Sequence, residues 1–246
     1  MTTSIEATFV DDAQQERVHV AIVVYSRFGV VRRLAEAVVE GVESIGRAEA
    51  HIIEVTDEPV DQLRPAETEP DRNQRRAVLQ RRLAAADAVI IGSPAYFGSM
   101  ASVVKRFFED VLTAEVPPPV DRSRPWRFGI LHDKVGAAFT ASATPHGGNE
   151  MALHSILTLL MHVGAIIVAP GQEEPPLENQ SAPYGATAIS GPTGDKPPSE
   201  DELRSARLLG SRVARIALWV HAGKRSLAQH EPDTQSRESA EGGGVI

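Results

Sequence analysis

Apolar segments with a strand pattern alternate along this chain with segments whose apolar residues repeat at helical spacing. Residues 18–25 form a nearly uninterrupted run of valine, isoleucine and alanine, which is too short for a buried helix and is typical of an interior strand. The apolar positions that follow fall on one helical face, at Leu34, Val38, Val42 and Ile45. Because parallel strands need a crossover between them, this pattern predicts a parallel sheet.

The same alternation recurs through most of the chain. Further strands are predicted at residues 48–55, 87–92, 135–140 and 165–169, and further helices at about residues 73–86, 101–112, 149–163 and 200–220. Five strands alternating with helices predict an α/β fold, a doubly wound five-stranded parallel sheet with helices on both faces. We expect a single domain over residues 18–222, a flexible N-terminal extension over 1–17 and a disordered polar tail over 223–246.

Composition excludes several classes of function. The chain has no cysteine, which excludes disulfides, thiolate metal sites and cysteine nucleophiles. Its formal net charge of −8 argues against a nucleic-acid partner. No apolar run approaches the roughly 20 residues of a membrane span, and the acidic N-terminus lacks a secretory pattern, so we expect a cytoplasmic protein. The sequence has no His-Glu-x-x-His and predicts no metal site.

Three loops at the predicted carboxyl ends of strands are candidates for a ligand site, because open parallel sheets bind ligands there. The loop over 25–31 opens a helix whose free N–H groups suit a phosphate, although it is neither a Walker loop nor a Gly-x-Gly-x-x-Gly turn. The loop over 92–100 has two glycines and the pair Tyr96 and Phe97, which either hold a flat ring or close the core. The loop over 140–150 is small and hydroxylated, so its backbone can approach a ligand.

Motifs in these loops resemble one known family. They are Tyr25-Ser26-x-x-Gly29, Gly92-Ser93-Pro94-x-x-Phe97-Gly98-x-Met100, Gly147-Gly148-Asn149-Glu150, and Pro183-Tyr184-Gly185-Ala186 followed by Gly191. In this order the chain resembles the WrbA-type NAD(P)H:quinone oxidoreductases of the flavodoxin-like superfamily over residues 18–220. The resemblance implies strand order 2-1-3-4-5, FMN as cofactor, NADH or NADPH as electron donor, a quinone-like flat acceptor, and a homo-oligomer, dimer or tetramer.

The resemblance also implies roles for individual residues. The FMN phosphate would lie against Ser26, Arg27, Phe28, Gly29, Val30 and Val31. The flavin ring would lie between one loop of Ser93, Pro94, Ala95, Tyr96, Phe97, Gly98 and Ser99 and another of Ser142, Ala143, Thr144, Gly147, Gly148 and Asn149. Trp126 would stack on the substrate, and His162 is the candidate catalytic histidine.

One departure from the family pattern concerns the phosphate loop. Val30 and Val31 stand where the family has a side-chain phosphate donor, so a guanidinium of Arg27, Arg32 or Arg33 is the candidate replacement.

Two functions fit this site. The first is an FMN-dependent oxidoreductase that transfers two electrons from NAD(P)H to a quinone or similar flat acceptor. The second is a flavodoxin-like electron carrier without its own small-molecule acceptor. The long connections, Trp126 and Tyr184 favour the enzyme. A receiver domain needs an aspartate where Ser93 stands, and a Gly-x-Ser-x-Gly hydrolase elbow is missing from the sequence.

Overall fold

The computed structural model describes residues 17–58, 64–112, 127–172 and 181–230. The strands are β1 (Val18–Val24), β2 (Ala48–Glu54), β3 (Ala88–Tyr96), β4 (Ser99–Met100), β5 (Val135–Ser142), β6 (Ile166–Ile167) and β7 (Ala186–Ile189). The α-helices are α1 (Val30–Glu43), α2 (Glu69–Ala85), α3 (Ser102–Leu112), α4 (Asn149–His162) and α5 (Glu200–His230), and a 3-10 turn covers Arg127–Ile130.

The sheet has the order β2-β1-β3-β5-β6, with these neighbours parallel. Alternate residues of β1 serve opposite faces. Val20 and Ile22 belong to a core with α1 and α5, whereas Ala21 and Val23 pack with residues of α2, α3 and α4. Burial on both faces explains the uninterrupted apolar run. The predicted α/β fold, with helices on both faces of a parallel sheet, is confirmed.

The fifth strand is split, which the sequence did not predict. The segment predicted as one strand over 165–169 pairs only at Ile166–Ile167, with Val135 and Gly136 of β5. A second piece, β7, pairs with Phe139–Ser142 farther along β5. Gly185 precedes that piece, and a side chain there would lie 2.4 Å from the carbonyl oxygen of Ala138. The chain therefore leaves the sheet after β6 and needs a glycine to return to it.

Two other predicted boundaries are wrong. Strand β3 runs to Tyr96 rather than ending at residue 92, and it pairs antiparallel with β4 in a tight hairpin. The sheet is therefore not wholly parallel. Helix α2 begins at Glu69 rather than near residue 73, because Thr68 and Asp71 form a capping box there.

Helix α5 continues to His230, so residues 223–230 are helical and not part of a disordered tail. Two contacts hold this polar end against the body. The His221 ring lies 3.0 Å from the Asp87 carboxylate, and Lys224 Nζ donates to the carbonyl of Asp133 at 2.8 Å. Asp87 and Asp133 are far from α5 in the sequence, so no local pattern predicted these contacts. The proposed extension over 1–16 and the tail over 231–246 lie outside the described residues. None of the described helices is long and apolar enough to cross a membrane.

Helices α1 and α5 cross in close backbone contact through two glycines. A Cβ on Gly41 would lie 2.0 Å from the carbonyl oxygen of Arg207, and one on Gly210 would lie 2.2 Å from that of Val38. Both contacts are with backbone carbonyl oxygens, so a side chain at position 41 or 210 would push the two helices apart. The spacing of this layer therefore depends on both glycines.

We expect Gly210→Ala to lower the free energy of unfolding by about 1–3 kcal/mol, because the added methyl meets backbone. The matched control is Gly223→Ala, where a Cβ meets nothing within 4 Å. In the control the helix propensity of alanine should raise stability by up to about 1 kcal/mol. Urea unfolding followed by circular dichroism measures both, and equal effects would contradict the crossing.

Candidate functional site

A cleft of about 270 Å³ opens at the carboxyl end of the sheet. All three loops singled out in the sequence contribute to it. The predicted residues that line it are Ser26, Arg27, Phe28, Val30, Val31, Pro94, Ala95, Tyr96, Ser142 and Ala143. Ala141 and the segment from Ser190 to Gly194 complete the wall.

The N-terminus of α1 forms one end of this cleft. Gly29 caps the helix with a φ of 88°, a conformation that favours glycine. The side chains of Val30 and Val31 are buried in the core, while their backbone N–H groups find no acceptor among the described residues. The N–H of Arg32 donates to Ser26 Oγ at 3.1 Å. The helix therefore presents two free donors and its positive dipole end to the cleft.

Of the three candidate guanidinium groups, the cleft lining includes that of Arg27, which lies 5.7 Å from the centre of the Phe28 ring. Arg32 is instead held by Glu36, at 3.1 Å, and by Glu54. Arg33 is exposed on the helix. Arg27 is thus the best placed of the three to meet an anion at the helix terminus.

Ser93 has a structural role in the second loop. Its side chain is fully buried, its hydroxyl accepts from the N–H of Ala101 at 2.8 Å, and it donates to the carbonyl of Pro94 at 3.0 Å. Thr140 Oγ1 donates to the Ser93 carbonyl at 2.6 Å, which joins the second loop to the end of β5. Ser93 fixes the loop, and Pro94, Ala95 and Tyr96 line the cleft.

The two aromatic residues of this loop behave differently. Tyr96 packs against the core in part, as one of the two readings predicted. Phe97 is fully exposed, so the core reading is wrong for it. Its backbone has a φ of 51°, which is unfavourable for a bulky residue. The loop therefore holds an aromatic ring out into solvent beside Gly98.

The second and third loops touch through glycine backbone. A Cβ on Gly148 would lie 2.9 Å from the Cα of Gly98. Gly148 also has a φ of 87° and caps α4. The next residue, Asn149, is 4% exposed, and its Oδ1 has no hydrogen-bond partner among the described residues. A buried acceptor without a donor is unusual, and an ordered water or a ligand group can satisfy it.

Sequence reasoning missed the fourth wall, residues 190–194. Both the N–H and the hydroxyl of Ser190 donate to the carbonyl of Ser142, at 2.8 and 3.1 Å. Gly194 faces the Phe28 ring, which would lie 3.0 Å from an added Cβ. Gly191 and Gly194 have positive φ values. Gly191 and Gly194 were the only indication of this wall in the sequence. The hydrogen bonds between Ser190 and Ser142 that bring the segment to the cleft are long-range and could not be predicted from it.

Other predicted residues lie away from the cleft lining or outside the described residues. Gly29, Phe97, Gly98, Ser99, Thr144, Gly147, Gly148 and Asn149 belong to its loops without lining it. His162 lines a separate groove between α3 and α4, with Lys105 and Phe108. Trp126 lies outside the described residues.

Tyr25 connects the end of β1 to the loop after β2. Its phenol donates to Asp57 Oδ1 at 2.8 Å. Burial, together with the hydrogen bond and charge of Asp57, raises the pKa of Tyr25 to about 12. The contact anchors the residue that directly precedes Ser26.

A pH-dependent stability follows from that raised pKa. An unfolded tyrosine loses its proton near pH 10, whereas the folded one keeps it to about pH 12. The stabilisation is therefore complete below pH 10 and is lost as the pH rises to 12. We expect wild type to lose more unfolding free energy over this interval than Tyr25→Phe. Denaturant titrations at several pH values test this, and parallel curves would contradict it.

Comparison with known proteins places the chain in a family. A family model described as NADPH-dependent FMN reductase matches residues 21–173. The chain is 37% identical over 207 residues to a NAD(P)H dehydrogenase (quinone) of Syntrophobacter fumaroxidans, covering 80% of this chain and 96% of that one. It is 38% identical over 209 residues to a protein of the same name from Gluconacetobacter diazotrophicus, covering 82% and 98%.

A solved structure is also similar to this chain. The flavodoxin, WrbA-like protein from Agrobacterium tumefaciens matches with a TM-score of 0.55 and 28% identity, over 82% of this chain and 98% of that one. The family model spans more than half of the chain, and the relatives cover at least four fifths of it. The chain therefore belongs to the NADPH-dependent FMN reductase family, among the WrbA-type NAD(P)H:quinone oxidoreductases.

Proposed function

We propose that this protein is an FMN-dependent oxidoreductase that transfers two electrons from NAD(P)H to a quinone or similar flat aromatic acceptor. The observation that carries the proposal is the cleft at the carboxyl end of the sheet, where the free N–H groups of Val30 and Val31 lie at one end. The family to which the chain belongs supplies the chemistry that such a cleft serves.

The phosphate end of the cleft fits FMN. The N–H groups of Val30 and Val31 supply donors, the helix dipole adds positive charge, and Arg27 adds a guanidinium. Side-chain donors from residues 30 and 31 are unnecessary, because burial of the two valines aims their backbone at the cleft. We therefore assign the phosphate to the loop of Ser26 to Val31.

The ring end of the cleft fits as well. Gly98 and Gly148 bring two loops together without intervening side chains, and Pro94, Ala95, Tyr96, Ser142 and Ala143 of these loops line the cleft. FMN supplies hydride and electron transfer when bound, while the protein supplies position and electrostatics. We assign the ring to the loops 93–99 and 142–149, with the segment 190–194 as an additional wall.

Further parts of the proposal depend on residues near the rim. We propose that the enzyme is a homo-oligomer, a dimer or tetramer, because Phe97, Met151 and Tyr184 present exposed apolar surface on this side of the fold. Tyr184 lies 5.1 Å from the ring of His154. The substrate-stacking role of Trp126, the catalytic role of His162 and a cytoplasmic location stay predictions.

Affinity for FMN tests the contact between the two ring loops. We expect Gly148→Ala to weaken FMN binding by about tenfold or more, because its methyl would collide with Gly98 and separate the loops. The matched control is Gly171→Ala, which has a similar φ of 78° and open space around its Cβ. Both variants carry the same backbone strain. Flavin fluorescence measures the dissociation constants, and equal losses would contradict the assigned ring site.

Turnover tests the reaction itself. Anaerobic NADPH or NADH should bleach the flavin absorbance of the FMN-loaded protein, and benzoquinone should restore it. Steady-state oxidation of NAD(P)H should then depend on quinone concentration and saturate. Retained flavin with negligible NAD(P)H turnover and a stable one-electron state on photoreduction would instead indicate the electron carrier. Failure to retain FMN would refute both functions.

A further inference from the structure

A cluster of three metal-ligating side chains lies at the other end of the sheet from the cleft. His19 of β1 and Glu49 and His51 of β2 bring their ligand atoms within 4.8 Å of one another. No other such group of three occurs among the described residues. We propose that these three side chains bind a divalent transition-metal ion of the Zn²⁺, Ni²⁺ or Cu²⁺ class.

The register of the sheet explains how the cluster forms. His19 pairs with Glu49, and Ala21 pairs with His51. Residues two apart on a strand share a face, so Glu49 and His51 project to the same side as His19. The Asp87 carboxylate accepts from the backbone N–H of His19 at 2.9 Å, and the backbone N–H of Asp87 donates to the carbonyl of His19 at 2.8 Å. The ligands therefore stand on rigid, hydrogen-bonded strands, which position ligands better than loops do.

The spacing of the ligand atoms suits a small ion. His19 Nδ1 and His51 Nε2 are 3.2 Å apart. The carboxylate of Glu49 lies 3.9 Å from the first nitrogen and 3.7 Å from the second. Tetrahedral Zn²⁺ with bonds near 2.1 Å holds its ligand atoms about 3.4 Å apart. Small rotations of the exposed carboxylate reach that spacing, so the geometry of the cluster is close to that of a bound ion.

The chemistry of the donors selects the class of ion. Two imidazoles and one carboxylate suit Zn²⁺, Ni²⁺ and Cu²⁺, whereas Mg²⁺ and Ca²⁺ prefer oxygen ligands only. The three side chains are 45–47% exposed, so an ion can enter from solvent. A cleft of about 330 Å³ beside the two histidines leaves room for water in a further position. The charged side chain of Arg82 lines that cleft but is exposed and free to turn outward.

The proposed ion would join β2, at the edge of the sheet, to its interior neighbour β1. The site is independent of the flavin cleft, because His19 and Ser26 are seven positions apart on an extended chain, which spans about 23 Å. Metal binding should therefore stabilise the fold without changing the reaction. Mass action predicts a melting temperature that rises with metal concentration.

The test uses the tag-free full chain, stripped with a chelator and titrated with Zn²⁺ by calorimetry. We expect one ion per chain and a rise in melting temperature. His51→Ala and Glu49→Gln should each weaken Zn²⁺ binding by about tenfold or more and remove the rise. The matched control is His132→Ala, which removes an exposed histidine that likewise lies beside a carboxylate, 3.0 Å from Asp133. This variant should bind like wild type.

Two further readouts keep the test decisive. Circular dichroism of each variant without metal shows whether it folds, and Co²⁺ as a probe gives an intense visible absorbance only in a site of low coordination number. Absence of Zn²⁺ binding to wild type would overturn the proposal. Binding that survives both His51→Ala and Glu49→Gln would also overturn it, because the ion would then lie elsewhere.

Discussion

The parallel pairing of β1 with β2 on one side and β3 on the other is the constraint on which the rest of this structure depends. It buries both faces of β1, so that even residues meet α1 and α5 and odd residues meet the remaining helices. It also brings the carboxyl ends of the strands to one edge, where Val24 stands opposite Gly92 and Glu54. The loops of the cleft lie close together because each follows the carboxyl end of one of the paired parallel strands. The same register aligns His19 with Glu49 at the opposite end of the sheet, where the two strands begin.

The start of α1 shows how core packing can prepare a binding site. Valine at positions 30 and 31 supplies no side-chain hydrogen-bond donor to the phosphate loop. The sequence therefore predicted that an arginine side chain replaces the missing donor. In the structure both side chains belong to the core between α1 and the sheet. Their burial fixes the first turn of the helix, and the helix dipole and free N–H groups then face the cleft. In the proposed site the backbone and Arg27 would bind the phosphate, while Arg32 is engaged by acidic side chains.

The sequence predicted what is encoded locally. Helical spacing and strand runs identified the fold, and the three loops at the carboxyl ends identified most of the cleft lining. It failed where long-range contacts decide the structure. The second half of the fifth strand, Ala186–Ile189, is short and follows a long loop, so only its pairing with β5 reveals it. The polar end of α5 resembled a tail because its anchors, Asp87 and Asp133, lie far away along the chain. The His19 cluster spans two strands and matches no local motif.

The exposed and strained Phe97 supports the proposed binding role of the rim of the cleft. Its left-handed backbone costs on the order of 1 kcal/mol or more relative to glycine, and its exposed ring recovers nothing by burial against the described residues. The turn alone does not require phenylalanine, because the neighbouring Gly98 also has a positive φ and shows that glycine satisfies such a backbone. The strain is maintained by the β3–β4 hairpin and by Ser93, whose hydroxyl ties the loop to Ala101. A rigid frame that holds an aromatic ring in solvent beside a cleft is best explained by a flat ligand or a neighbouring subunit covering that ring. The unfavourable backbone of Phe97 therefore favours a complex in which a bound ligand or a second subunit covers its ring.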